Sequence, residues 1–165
     1  MSEMRIVWER PDGSIAVTVA APESRRSGES DADWIERVAE VTKTKIGSAG
    51  DVLENVRRLP NRSKDELPSK RFRNCWRGGT AGEVVVDMAL ACAQRMMEIR
   101  AERDRRLAEA DKEWLRILDT GPVEQQNAFR LYRQALRDIP QGINLDALTD
   151  PASLEAFEPN WPDQP

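Results

Sequence analysis

The sequence of 165 residues contains no histidine. Histidine is the commonest general base, metal ligand and pH switch, so its absence excludes Ser-His-Asp and Cys-His catalysis and leaves zinc only rare all-carboxylate sites. A glycine-rich segment, residues 78–82, precedes a predicted helix, but it lacks the Lys-Ser/Thr of a P-loop and the order of a dinucleotide fingerprint. We therefore predict that the chain is not an enzyme and has no catalytic residue, no cofactor and no metal site.

Long apolar runs are also absent. No stretch of about 18 apolar residues exists to span a membrane, and the first eight residues lack the apolar run of a signal peptide. These absences favour a cytoplasmic protein. Only two cysteines occur, Cys75 and Cys92, and their spacing fits no zinc pattern. We interpret them as packing residues, with a disulfide left open as the alternative.

Charge is plentiful and unevenly distributed. Residues 57–77 carry eight basic and two acidic side chains, whereas residues 139–165 carry five acidic and no basic ones. This asymmetry is typical of interaction surfaces, or of an arm that folds onto its opposite charge. Because the basic segment contains Phe72 and Trp76, nucleic-acid or regulatory binding through residues 57–77 is the alternative function. An acidic protein surface is a further candidate partner for this segment. The simpler interpretation is that Phe72, Cys75 and Trp76 face a core.

The first 86 residues predict a small α+β domain. Two runs rich in β-branched side chains, residues 5–9 and 14–19, surround Pro11-Asp12-Gly13 and predict a β-hairpin. A helix follows over residues 32–43, where apolar positions recur at helical spacing. Residues 51–68 fit a short helix, a strand or an exposed loop. Residues 70–77 predict a buried helical stripe, and residues 84–86 a short strand.

The second half predicts helices. Residues 88–118 form one long apolar-striped helix and residues 123–138 another, joined so closely that residues 87–140 should be an antiparallel helical hairpin. Residues 141–165 form an acidic tail containing proline and tryptophan, with single helical turns at 145–148 and 153–157. In this tail Trp161 either folds back onto its own body or docks a partner as an aromatic anchor. The fold class is α+β, mostly α.

Several segments resemble those of a known family. Phe129, the run Tyr132-Arg133-Gln134-Ala135-Leu136-Arg137-Asp138-Ile139-Pro140 and the later Trp161-Pro162 resemble the C-terminal region of tailed-phage tail-fibre assembly proteins and small phage tail-associated proteins. In the first half, three further runs resemble a domain of small phage proteins encoded near tail genes; they are Asp65-Glu66-Leu67-Pro68, Arg71-Phe72-Arg73-Asn74-Cys75-Trp76 and Val85-Val86-Asp87-Met88. The spacer before Trp161 is longer here than in the usual assembly proteins.

The resemblance implies a function in virion assembly through protein–protein binding, either as a chaperone of a tail fibre or as a structural component of the tail. The implied partner is a phage tail or tail-fibre protein, with a homo-oligomer left open, nucleic acid not expected and no membrane. The implied location is the host cytoplasm during assembly, with retention in the virion tail also open. The partner-binding residues we predict are Trp114, Phe129, Tyr132, Arg133, Arg137, Trp161 and Pro162.

Overall fold

The computed structural model describes residues 4–46 and 56–165. The chain divides into two compact units, Met1–Asp87 and Met88–Pro165. Small antiparallel sheets occupy the first unit and long helices the second. The predicted fold class, α+β and mostly α, is confirmed.

A three-stranded antiparallel sheet organises the N-terminal unit. Its strands are β1 (Arg5–Glu9), β2 (Ile15–Val19) and β3 (Arg57–Arg62), in the order β2-β1-β3. The predicted hairpin of β1 and β2 is confirmed. Its turn depends on Asp12, whose carboxylate accepts the Ser14 N–H at 2.8 Å, and on Gly13, whose φ of 78° favours glycine.

The two faces of this sheet bury separate apolar clusters. On one face, Ile6, Trp8 and Ala16 pack with Ala39 of α1 (Asp31–Ile46), which begins where Ser30 accepts the Asp33 N–H. On the other face, a second cluster joins the sheet to a following pair of strands; its members are Val7, Ile15, Leu59, Trp76 and Val84.

The segment from residue 70 to 86 differs in part from its prediction. Residues Lys70–Cys75 form a 3-10 helix rather than an α-helix, and Trp76 instead begins β4 (Trp76–Gly78), which pairs with β5 (Val84–Val86). Phe72 and Cys75 still face inward, because one turn of either helix type brings residues three apart to the same side. Residues 47–55 lie outside the described residues; the rest of the ambiguous segment 51–68 contains β3 and a 3-10 helix (Lys64–Glu66).

The C-terminal unit is built on α2 (Met88–Thr120) and α3 (Val123–Asp138), joined by Gly121-Pro122. Their bounds agree closely with the predicted helices. The second half of α2 packs against α3 through a cluster that we call the helix-pair core; its buried members are Ala110, Ile117, Phe129, Tyr132 and Leu136. The apolar positions on both helices recur three or four residues apart, which is why they meet along one line.

The tail covers the first half of α2. After a 3-10 helix (Ile139–Gly142), the chain buries Leu145, and the Cys92 thiol approaches its carbonyl oxygen at 3.6 Å. A short helix, α4 (Pro151–Ala156), starts at Asp150, whose carboxylate accepts the Ser153 N–H at 2.8 Å, and buries Leu154 completely. Among the described residues, no helix combines the length and apolarity needed to cross a membrane.

Candidate partner-binding surface

Arg95 of α2 fixes the start of the final extended segment. It is the buried charged residue of the described chain, with only 6% of its surface exposed. Its guanidinium donates to the Phe157 carbonyl oxygen at 2.6 Å, to the Glu158 carboxylate at 3.1 Å and to Glu98 at 3.1 Å. A buried arginine is tolerated only when it is paired in this way. The contacts therefore tie the tail backbone to α2.

Trp161 is held by a second arginine on the same side of α2. The Arg106 guanidinium lies 4.5 Å from the centre of the Trp161 ring, and its Nε donates to Glu102 at 2.8 Å. Hydrogen bonds from Arg105 and Arg106 lower the pKa of Glu102 to about 2. Because Trp161 is half-buried against the helix-pair core, the tail folds back onto its own unit, which was one of the two predicted alternatives.

A further arginine stacks on the tryptophan of α2. The Arg133 guanidinium lies 5.3 Å from the Trp114 ring centre, and its Nε donates to Asp111 at 2.8 Å. Both Trp114 and Arg133 are half-buried. Arg137 lies one turn further along α3, on the same side as Arg133, and is exposed. This side of the helix pair therefore presents a partly exposed indole and two arginines.

Phe129 and Tyr132 lie beneath this surface rather than on it. Phe129 is 1% exposed and Tyr132 9%, and their rings meet edge to face with centroids 5.9 Å apart. Such a pair is worth ~0.5–1.5 kcal/mol beyond its buried area. In this arrangement the two rings hold α3 on α2, and the residues that a partner can reach are their neighbours.

Two exposed leucines beside Trp114 form an apolar patch with it. Leu115 is 68% exposed and Leu118 48%, although sequence periodicity places both on the apolar stripe of α2. Trp114 and Leu118 are four residues apart and Leu115 and Leu118 three apart, so the three side chains are neighbours on the helix surface. We call Trp114, Leu115 and Leu118, with Arg133 stacked on the indole, the α2 patch.

Several charged side chains of this unit form ion pairs with one another. Arg105 bridges Glu102 and Glu109 at 2.7 Å each, and Arg116 contacts Glu113 at 3.2 Å. Within residues 4–46 and 56–165, no group of three or more histidine, cysteine or carboxylate side chains is placed to hold a metal ion.

Sequence reasoning missed Arg95 and Arg106 as tail anchors. A signal for Arg95 was present, because it lies at helical spacing from Ala91, Cys92 and Ile99, the buried positions of the stripe. A charge within such a stripe indicates a buried partner. Arg106 had no comparable signal, because it lies in a run of charged residues whose spacing fits a solvated face.

The basic segment of the N-terminal unit does not expose its aromatic rings. Phe72 is fully buried and Trp76 is 2% exposed, so neither offers a face on which a base could stack. Two of its arginines are also neutralised, Arg57 by Glu9 and Arg58 by Glu36. The stacking form of nucleic-acid binding therefore has no support in this segment.

Most of the C-terminal unit matches the model of a known protein family. Residues 96–165 match the family model described as "Phage tail assembly chaperone protein". This match includes α3, the tail and most of α2, and it supports the resemblance to a phage tail assembly protein family. No curated protein and no solved structure matches the chain.

Proposed function

We propose that the chain assists phage tail assembly by binding a tail or tail-fibre protein through the α2 patch. The observation that carries the proposal is that large apolar side chains stay exposed inside the segment that matches the assembly chaperone model. Exposed apolar residues that adjoin one another mark interaction sites more often than scattered ones do.

The composition of the α2 patch supports a binding function. Tryptophan and arginine are the residues most enriched where interfaces concentrate their binding energy. Here the Trp114 ring is already fixed by Arg133, and Arg133 by Asp111, so a partner would not have to order them. Arg137 adds an exposed cation one turn away. The partner face would therefore be apolar at its centre and acidic at its edge.

The other predicted site residues act from behind the patch in this proposal. Phe129 and Tyr132 hold α3 in place, while Trp161 closes the tail onto the helix-pair core and Pro162 follows it, half-buried. The function requires binding alone and no catalysis. It would take place in the host cytoplasm, and the chain would then either leave the finished tail or remain in it. Mass spectrometry of purified virions distinguishes these two outcomes.

A capture experiment tests the proposal. The double variant Leu115→Glu with Leu118→Glu places two carboxylates in the patch without disturbing a core, since both side chains are exposed. Burial of a leucine contributes ~1.5–3 kcal/mol, so we expect the affinity for the tail or tail-fibre protein to fall by about 30-fold or more. Quantitative pull-down with each tail protein of the same phage measures it.

The matched control is Arg116→Glu. Arg116 lies between the two leucines in sequence, but a step of two residues turns an α-helix by about 200°, so it points away from Leu118. Its side chain is 80% exposed, so the charge reversal should leave capture unchanged. Equal capture by the double variant and the unchanged protein would refute the α2 patch as the binding surface.

A further inference from the structure

The N-terminal unit contains a pocket with an apolar floor and a basic rim. Its volume is about 270 Å³, slightly below the ~300–1,000 Å³ of typical small-molecule sites. The floor is apolar; it consists of Val17, Val19, Leu67, Pro68 and Trp76. The rim is basic; it consists of Arg5, Lys64, Lys70 and Arg73. Among the residues that the structure describes, no acidic side chain lines it. A pocket of this size accommodates one large side chain more readily than a whole cofactor.

Three cations of the basic rim differ from the paired arginines of the same segment. In the basic segment, Arg57 pairs with Glu9, Arg58 with Glu36 and Arg62 with Glu66. By contrast, within the described parts of the chain no carboxylate pairs with Lys64, Lys70 or Arg73, and all three are exposed. Like charges held close together favour a ligand of opposite sign. Three of the eight basic side chains of residues 57–77 thus line this pocket.

The neighbouring carboxylates Asp65 and Glu66 do not line the pocket. Glu66 accepts the Ser63 N–H at 2.7 Å, which starts the short 3-10 helix Lys64–Glu66 and lowers the pKa of Glu66. Asp65 is exposed and does not line the pocket. The Trp76 indole N–H donates to the Ser69 carbonyl at 3.3 Å, which fixes the ring at the pocket floor. The site is therefore assembled from ordered parts before any ligand arrives.

From this arrangement we infer that the pocket binds an acidic peptide segment of a protein partner, with one apolar side chain inserted on the floor and carboxylates on the rim. Charge complementarity selects an acidic ligand. Trp76 is only 2% exposed and therefore offers no ring face on which a nucleobase could stack. An apolar peptide side chain needs no such ring face. This site lies outside residues 96–165 and is independent of the α2 patch.

The test uses a fluorescently labelled acidic peptide with one central leucine as probe, titrated with the full chain at low salt. We expect saturable binding that weakens at least about tenfold in the double variant Lys70→Glu with Arg73→Glu. Both side chains are exposed, so the fold should persist, which circular dichroism verifies. Replacing the peptide's leucine by glycine should also weaken binding, because the floor of Val17, Val19 and Leu67 would stay unfilled.

The control variant, Arg26→Glu with Lys45→Glu, makes the same change of net charge on exposed residues outside the pocket and should bind normally. Equal weakening in both double variants would mean that bulk charge binds the peptide and would overturn the inference. A peptide that fails to bind at low salt would overturn it too. So would a single-stranded oligonucleotide that binds more tightly than the peptide and depends on Lys70 and Arg73.

Discussion

Replacing Trp161 with alanine should destabilise the C-terminal unit. A fully buried tryptophan costs ~3–5 kcal/mol when truncated to alanine, and Trp161 is half-buried against the helix-pair core. Its stack on Arg106, at 4.5 Å, adds ~0.5–1 kcal/mol at a partly exposed site. We therefore expect a loss of about 2 kcal/mol in the free energy of unfolding. In urea, this corresponds to a midpoint lower by about 1 M.

Far-UV circular dichroism during urea unfolding measures this loss, because most of the C-terminal unit is helical. The control is Trp161→Phe, which keeps an aromatic face for Arg106 and should lose less stability. Arg106→Met completes a double-mutant cycle, in which the coupling between Arg106 and Trp161 should be about 0.5–1 kcal/mol. An unchanged midpoint in Trp161→Ala would refute the packing of the tail on its own unit.

Two further predictions concern the tail anchors. Arg95→Met leaves the Phe157 carbonyl without its donor and should cost about 1–3 kcal/mol, with faster hydrogen exchange at residues 157–161; unchanged exchange would contradict the anchor. Glu102 has a pKa of about 2 in the folded protein, below its ordinary 4.5. Its contribution to the free energy of unfolding is therefore fully present above about pH 4.5 and is lost as the pH falls towards 2. The stability difference between the unchanged protein and Glu102→Gln should therefore shrink between about pH 5 and pH 2; a constant difference would contradict the pairing of Glu102 with Arg105 and Arg106.

Local signals in the sequence were sufficient to predict the individual helices, strands and turns. The hairpin turn could be predicted because Asp12 and Gly13 supply its hydrogen bond and its positive φ from within four residues. The end of α2 and the start of α3 could be predicted because Gly121-Pro122 interrupts helical periodicity. These features depend on nearest neighbours along the chain.

The position of the tail could not be predicted, because it depends on contacts between distant residues. Phe157 and Arg95 are separated by 62 positions, and nothing near either one in sequence indicates the other. Arg95 and Arg106 are about 17 Å apart along α2, and the four residue-to-residue steps from Phe157 to Trp161 span about 13 Å when extended, so the tail follows the helix. A long helix can therefore be covered by its own tail as well as by a partner.

For the candidate site, too, the local pattern could be predicted from the sequence, whereas the packing between distant residues could not. The apolar stripe of α2 was placed correctly at Ala110 and Trp114, but periodicity also assigned the exposed Leu115 and Leu118 to it and left out the buried Ile117. Only the packing of α3, which covers Ala110 and half of Trp114, shows that the stripe is wider than the surface available to bury it. The uncovered remainder is the α2 patch.

Complementation of a phage that lacks this gene tests the central claim most directly. The Leu115→Glu, Leu118→Glu variant and the Arg116→Glu control would be expressed in the host, and complete tails would be counted by electron microscopy. We predict that the control restores tails to the level of the unchanged protein and that the double variant, although folded, does not. Full restoration by the double variant would contradict the claim that assembly depends on the α2 patch.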